Sequence, residues 1–153
     1  MSLKQAWGNA CWYLFHTLAF KLKEERMDLV PHILSKIRYI CANLPCPDCS
    51  EHAIETMKTL RDNMVRDKEA LVQVLHQFHN VVNKRTGEPY FTREQHDEKY
   101  SKAKTDAIVI NFIRVMQSRF PTNERGIVND LQRKIMVKNV SEFISRERAA
   151  FDD

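Results

Sequence analysis

Apolar residues recur at three- and four-residue spacing along most of the chain, which is the pattern of amphipathic helices. The predicted helices cover about residues 4–25, 28–43, 47–64, 68–85, 107–120, 123–137 and 140–151. Gly87 is expected to end the fourth of these, and Thr92-Arg-Glu-Gln95 has the pattern of a capping box that opens a further short helix. No strand signal exceeds four residues. We therefore predict an all-α fold, a bundle of four or five helices with a C-terminal helical extension.

Composition limits what such a chain can do. Its 153 residues, 43% of them hydrophobic, are enough for one domain with its own core. A net charge of +4 is too small to indicate nucleic-acid binding, and the apolar runs are far shorter than the ~20 residues that span a bilayer. The first residues lack the apolar segment of a secretory signal. We therefore expect a cytoplasmic protein that binds neither nucleic acid nor membrane.

The strongest chemical signal is the pair Cys46-Pro-Asp-Cys49, at the predicted start of the third helix. Backbone N–H groups and the helix dipole favour negative charge there, which lowers the pKa of a thiol. In a reducing compartment a close pair is more often a redox or metal site than a structural bridge. A plain structural disulfide, or two unrelated core thiols, are the alternatives that spacing leaves open.

A second polar pattern lies on the fourth predicted helix. His76, His79, Asn80 and Asn83 are three or four residues apart and therefore project from one side of that helix. Buried imidazole and amide groups need hydrogen-bond partners. The stripe indicates either a polar ligand between helices or a partly solvated flank, since His and Asn are mostly exposed in proteins.

Three motifs occur together in one order: Gly8-x-x-x-Trp12-x-x-x-His16, then Cys46-x-x-Cys49, then His79-Asn80-x-Val82-Asn83 followed by Gly87, Pro89 and Phe91. In order and spacing, over about residues 7–91, the chain resembles the Erv/ALR family of FAD-dependent sulfhydryl oxidases. Its compact form, without a second cysteine pair in a tail, is similar to the versions carried by large cytoplasmic DNA viruses.

The resemblance implies a four-helix bundle with a short fifth helix that holds FAD non-covalently, usually as a homodimer. Residues 1–95 would form the FAD-binding core, and residues 96–153 the fifth helix and the C-terminal extension of the same domain. The residues that the resemblance places at the cofactor are Gly8, Trp12, His16, Cys49, His79, Asn80, Val82, Asn83 and Lys84.

The resemblance also implies the chemistry, which is disulfide formation in protein thiols. A substrate thiolate would attack Cys46, and a second substrate thiol would resolve the mixed disulfide. Cys49 would then pass two electrons to the flavin, and oxygen would reoxidise the flavin to give hydrogen peroxide. Cys46 and Cys49 are therefore the expected catalytic residues. The expected partners are protein thiols, including a small thioredoxin-like relay protein if the viral resemblance holds.

The chain departs from the family pattern around its FAD motif. His76 and Arg93 stand where the family commonly has the two cysteines of a structural disulfide, and this cross-link is therefore missing here. Glu88 replaces a lysine suited to the FAD phosphates. Lys84, Arg85 and Arg93 are the cations expected to take its place.

The flexible shuttle pair of many family members is also absent from this sequence. The remaining thiols, Cys11 and Cys41, lie within predicted helices and make poor shuttles. Direct oxidation of a partner protein at Cys46 is therefore the simpler hypothesis.

The main alternative is a non-enzymatic zinc-binding module. Cys46, Cys49 and His52, with His76 or His79, would make a Cys2His2 ligand set. This alternative leaves the tryptophan-histidine and asparagine motifs unexplained. A thioredoxin-type reductase is disfavoured, since no βαβ pattern surrounds the cysteine pair.

Overall fold

The computed structural model describes the backbone of residues 1–120 and 124–153 and the side chains of residues 1–120 and 129–153. Within those ranges the chain forms seven α-helices and no strand beyond one isolated bridge. The helices are α1 Leu3–Lys21, α2 Val30–Cys41, α3 Pro47–Thr59, α4 Lys68–Thr86, α5 Arg93–Ser101, α6 Thr105–Met116 and α7 Glu124–Arg146. The predicted all-α fold is confirmed. None of the helices in the described ranges combines the length and the apolar character that crossing a membrane requires.

Helix α1 lies at the centre of the fold, because it packs against α2, α4, α5 and α6. Helices α2 and α3 pack against each other and against α4, which completes a bundle of α1–α4, and α7 packs on α2 and α6. The apolar stripes meet in one core, whose fully buried members include Leu14, Leu18, Ile37, Leu71 and Leu75. Burial of each such side chain contributes about 1.5–3 kcal/mol.

Local signals set the helix ends that frame the site. Thr92 and Gln95 form the predicted capping box at the start of α5. Gly87 ends α4 in the left-handed region with a φ of 79°, where a residue without Cβ is favoured, and its N–H donates to Asn83 O. This turn sends the chain back along α4, so that Phe91 lies beside Asn80.

Two predicted helix ends were wrong because of conformations set elsewhere in the chain. Helix α1 ends at Lys21 rather than about residue 25, since Leu22 is extended and forms the isolated antiparallel bridge with Phe151. Helix α3 ends at Thr59 rather than about residue 64, because Arg61 is left-handed with a φ of 52°. Short 3-10 segments follow each of these ends.

The C-terminal extension also differs from the prediction. The two helices expected at 123–137 and 140–151 are one continuous helix, α7. Val137 and Val140 are both buried on the same stripe, so the apolar pattern continues across the expected break. Helix α6 ends at Met116 rather than near residue 120. Pro121 and Asn123, the predicted end and start of helices here, lie outside the described residues.

Candidate active site

Cys46 and Cys49 form a disulfide at the start of α3, with Cα atoms 5.2 Å apart. Cys46 is the N-cap residue, and the N–H of Cys49 donates to Cys46 Sγ over 3.2 Å. Both sulfurs therefore lie at a helix N-terminus, which stabilises a thiolate when the bond is reduced. Both cysteines are half-buried, so the pair is reachable from outside.

The two sulfurs have different surroundings. Cys49 lines a cavity of about 130 Å³ between α1, α3 and α4, and Cys46 is not among the described residues that line it. The walls are mainly apolar, with Phe15 and Phe78 among them. Lys4 and Arg85 also line the cavity, and no acidic residue of the described ranges does. A thiolate on Cys49 would therefore form in a cavity bordered by positive charge.

A larger groove of about 1210 Å³ adjoins this cavity along α1 and α4. The residues that line both spaces are Lys4, Gly8, Trp12, Val82 and Thr86. From there the groove continues past His79 and Asn83 to the 88–91 segment and α5. The two spaces share these wall residues, and we refer to them together as the Cys49 groove.

Aromatic rings form a flat wall of the Cys49 groove. The rings of Trp12 and His79 are stacked, with centroids 3.9 Å apart and planes within 5° of parallel. His79 Nδ1 lies 2.8 Å from Nε2 of His16, which is fully buried. His16 packs in turn against His96 and Tyr100 of α5. The stacked pair is therefore held from behind, and it offers a preformed surface for a planar ligand.

The environment keeps both histidines of this hydrogen bond neutral. Burial, followed by Lys99 and nearby histidines, lowers the pKa of His79 to about 4. Burial, followed by His79 and His96, holds the pKa of His16 well below its ordinary value. At neutral pH one ring donates and the other accepts, which gives a neutral hydrogen bond.

The structure brings most of the expected cofactor residues together. Gly8, Trp12, Cys49, Val82 and Asn83 line the Cys49 groove beside His79, and His16 supports His79 from beneath.

Asn80 and Lys84 lie elsewhere on α4, along a further cavity of about 610 Å³ that shares Asn83, Glu88 and Tyr90 with the groove. Both groups of the Asn80 amide bind the backbone of Phe91: Oδ1 accepts from its N–H and Nδ2 donates to its O, each over 2.8 Å. Lys84 is exposed. Among the expected cofactor residues, these two are therefore not brought to the groove.

Sequence reasoning missed two lysines of the groove, Lys4 and Lys99. Lys4, Lys99 and Lys102 line it, together with Glu88 and Glu98. Lys102 pairs with Glu98 over 3.4 Å, whereas Lys99 Nζ lies over the aromatic rings of α1 and α5. Lys4 could have been found, because it stands four residues before Gly8 and so shares a helix face with it. Nothing local distinguishes Lys99 from a solvated charge.

The residues of the zinc alternative are not assembled. In the ranges that the structure describes, no group of three or more His, Cys, Asp or Glu side chains could hold a metal ion. His52 is exposed on α3, and Nε2 of His76 lies 2.7 Å from Phe91 O. The two sulfurs are bonded to each other rather than free.

A helical bundle with a helix-start disulfide facing a groove defines a thiol-redox class of protein. The model of the Erv1/Alr family matches residues 9–101, which is more than half of the chain. The chain belongs to the Erv1/Alr family. The match ends with α5, so α6 and α7 lie beyond it.

Two curated relatives are similar to part of the chain. The chain is 30% identical over 102 residues to the FAD-linked sulfhydryl oxidase ERV1 of Oryza sativa subsp. japonica. The aligned region covers 65% of this chain and 51% of that protein. It is 27% identical over 96 residues to the "Putative FAD-linked sulfhydryl oxidase 096R" of Invertebrate iridescent virus 3. This second aligned region covers 61% of this chain and 65% of that protein. The chain thus spans between half and two thirds of these relatives. No solved structure matches it.

Proposed function

We propose that this chain is an FAD-linked sulfhydryl oxidase, which forms disulfides in protein thiols and passes the electrons to oxygen to give hydrogen peroxide. The observation that carries the proposal is the Cys46–Cys49 disulfide at the start of α3, of which only Cys49 lines the groove. One sulfur is thereby available to a substrate and the other to a cofactor. Family membership and the names of both relatives support the same function.

The Cys49 groove fits FAD in three respects. A Cβ added at Gly8 would meet nothing within 4 Å, so α1 leaves open space where the two parts of the groove join. The stacked Trp12 and His79 rings provide a planar wall, and Lys4 and Lys99 provide positive charge for phosphates. We propose that the ring system lies toward Cys49 and the phosphates toward the lysines. We leave Lys84 out of the site, because it lies on another face of α4.

The cysteine pair carries out the thiol chemistry. A substrate thiolate attacks Cys46 Sγ, the new S–S bond forms, and the Cys46–Cys49 bond breaks with Cys49 leaving as a thiolate. A second substrate thiolate attacks the substrate sulfur of this mixed disulfide and releases Cys46, whose sulfur accepts the Cys49 N–H. The pair has then gained two electrons from the substrate. When bound, FAD supplies a two-electron acceptor that oxygen reoxidises.

Partners and location follow from the same proposal. We propose that the substrates are protein thiols, for example on a small thioredoxin-like relay protein, that the chain works as a homodimer, and that it acts in the cytoplasm. Cys11 and Cys41 are free and buried, and burial raises the pKa of Cys41 to about 12. Such thiols do not serve as shuttles, which supports direct attack of the partner on Cys46.

The proposal is tested by the visible spectrum of the purified protein and by oxygen consumption with a dithiol. We expect a flavin spectrum that becomes that of free FAD after heat release. Cys46→Ser and Cys49→Ser should each abolish turnover. His52→Ala is the matched control, because His52 is exposed on α3 close to the pair and outside the groove. Turnover that persists in both cysteine variants would overturn the mechanism, and bound zinc without flavin would overturn the function.

A further inference from the structure

The segment between α4 and α5, residues 87–92, forms one wall of the Cys49 groove through Pro89, Tyr90 and Phe91. This segment contains no helix or strand. It therefore has no regular backbone ladder of its own to hold it in place. Backbone N–H groups of Gly87 and Glu88 donate to Asn83 O at the start of the segment, and beyond them its position relative to α4 depends on side chains that reach it.

Two side chains of α4 fasten this wall at Phe91. His76 Nε2 lies 2.7 Å from Phe91 O, and the Asn80 amide adds its two hydrogen bonds to the same residue. His76 and Asn80 stand four residues apart, on one face of α4. His76 is 7% exposed, so a donor lost here is not readily replaced by bulk water. Three hydrogen bonds thus hold the wall at Phe91, and Asn83 Nδ2 adds a fourth side-chain bond to it at Pro89 O, over 3.2 Å.

Arg93 fastens the other side of the same junction. Its guanidinium binds Glu69 of α4 in a bidentate manner, over 2.7 and 3.1 Å, and Asp97 over 2.9 Å. Asp97 also accepts from Nδ1 of His96 over 2.8 Å. Arg93 is the first residue of α5 and Glu69 lies in the first turn of α4. The pair therefore joins the starts of the two helices, and α5 carries Lys99 into the groove.

We propose that His76 and Arg93 are positioning residues for the cofactor: His76 holds the Phe91 wall, and Arg93 holds α5 against α4. Neither His76 nor Arg93 is among the described residues that line the groove. His76 therefore acts through Phe91, and Arg93 acts through Lys99. The inference rests on the proposed function, since FAD is the ligand that the groove is shaped to hold. Because none of these contacts contains sulfur, the groove keeps its shape in a reducing solution.

The test is a titration of FAD into the apo-protein by flavin fluorescence, with thermal unfolding of each apo-protein measured in parallel. His76→Leu and Arg93→Met should each weaken FAD binding about tenfold, the effect of a lost buried or bidentate hydrogen bond. His76→Gln keeps an N–H donor and should recover most of the affinity. The matched control is Arg148→Met, which removes guanidinium bonds to Asp106 and to Phe151 O. It should lower the Tm and leave FAD binding unchanged.

Equal FAD affinity of His76→Leu, Arg93→Met and the unmodified protein would overturn the inference. An equal loss in Arg148→Met would overturn it too, because the effect would then be general instability. If the unmodified protein binds no FAD, the proposed function falls, and the inference with it.

Independence from disulfides is measured separately by comparing the FAD affinity of a Cys46→Ser, Cys49→Ser double variant with that of the unmodified protein. We expect the same FAD affinity, because the Cys46–Cys49 bond is absent from the variant while the contacts of His76 and Arg93 remain. A loss of affinity in the double variant would show that the disulfide holds the groove, and would overturn the inference.

Discussion

Acid should destabilise this protein through the histidine pair that supports the Cys49 groove. The pKa of His79 is lowered to about 4 by burial first, then by Lys99 and the neighbouring histidines His76 and His96. The same histidine in the unfolded chain titrates at its ordinary value near 6.5. Between these two values the unfolded chain binds a proton that the folded chain does not. The contribution of His79 to stability is therefore complete above its pKa in the unfolded chain, and it is lost as the pH falls toward its pKa in the folded protein.

The size of the effect follows from the two pKa values. With values of 6.5 and about 4, His79 alone lowers the free energy of unfolding by about 2 kcal/mol when the pH falls from about 7.5 to about 5. For a chain of this size that corresponds to a fall in Tm of about 6 °C. His16 adds to the loss, because burial lowers its pKa in the same direction.

The assay is thermal unfolding followed by circular dichroism across this pH range, on the apo-protein. His79→Gln should reduce the loss by about 2 kcal/mol, because the amide can still bond to His16 but does not titrate. His52→Gln, at an exposed position, is the control and should keep the full pH dependence. The reasoning is refuted if His79→Gln and the unmodified protein lose the same stability over this range.

Three further substitutions test other parts of the structure. Gly8→Ala should stabilise the apo-protein by about 0.5–1 kcal/mol, since α1 has room for the methyl group, and unfolding measures this gain. The same methyl group should weaken FAD binding, and unchanged binding in an FAD titration would contradict the groove assignment. Gly87→Ala should cost about 1 kcal/mol in urea unfolding because the φ of 79° disfavours a Cβ, and no loss would contradict this. Phe151→Ala should cost about 3–5 kcal/mol and speed proteolysis of the C-terminus, as Phe151 is only 2% exposed, and a stable variant would argue against that packing.

Much of the fold could be predicted because many helix ends are set by adjacent residues. Gly87 and Thr92 end and begin helices as expected, since a left-handed turn and a capping box each depend on a few consecutive residues. The end of α1 could not be predicted in this way. It is set by the bridge from Leu22 to Phe151, and nothing near Leu22 in the sequence indicates that partner.

The same distinction applies to the site. Trp12 and His79 could be placed at one site only through the family resemblance, because spacing along a helix shows which of its own residues share a face and not which other helix lies opposite. Asn80 follows His79 directly but points about 100° further around α4, where Phe91 takes up its amide. Lys99 reaches the groove only because α5 folds back beside α1. The positions of Asn80 and Lys99 both depend on contacts across the turn at Gly87. The sequence pattern along a single helix does not indicate such contacts.

The bridge between Leu22 and Phe151 sets the order in which the chain can finish folding. Lys23 N–H donates to Ala150 O over 2.9 Å, and Asp152 N–H donates to Lys21 O over 2.8 Å. Helix α1 is therefore synthesised long before Ala150 and Asp152, and the contacts at its C-terminal end form only after those residues have left the ribosome. Contacts with such large sequence separation form slowly. A nascent chain halted before Phe151 would lack the bridge partner of Leu22, so the end of α1 is fixed only after helices α2 to α7 have been made.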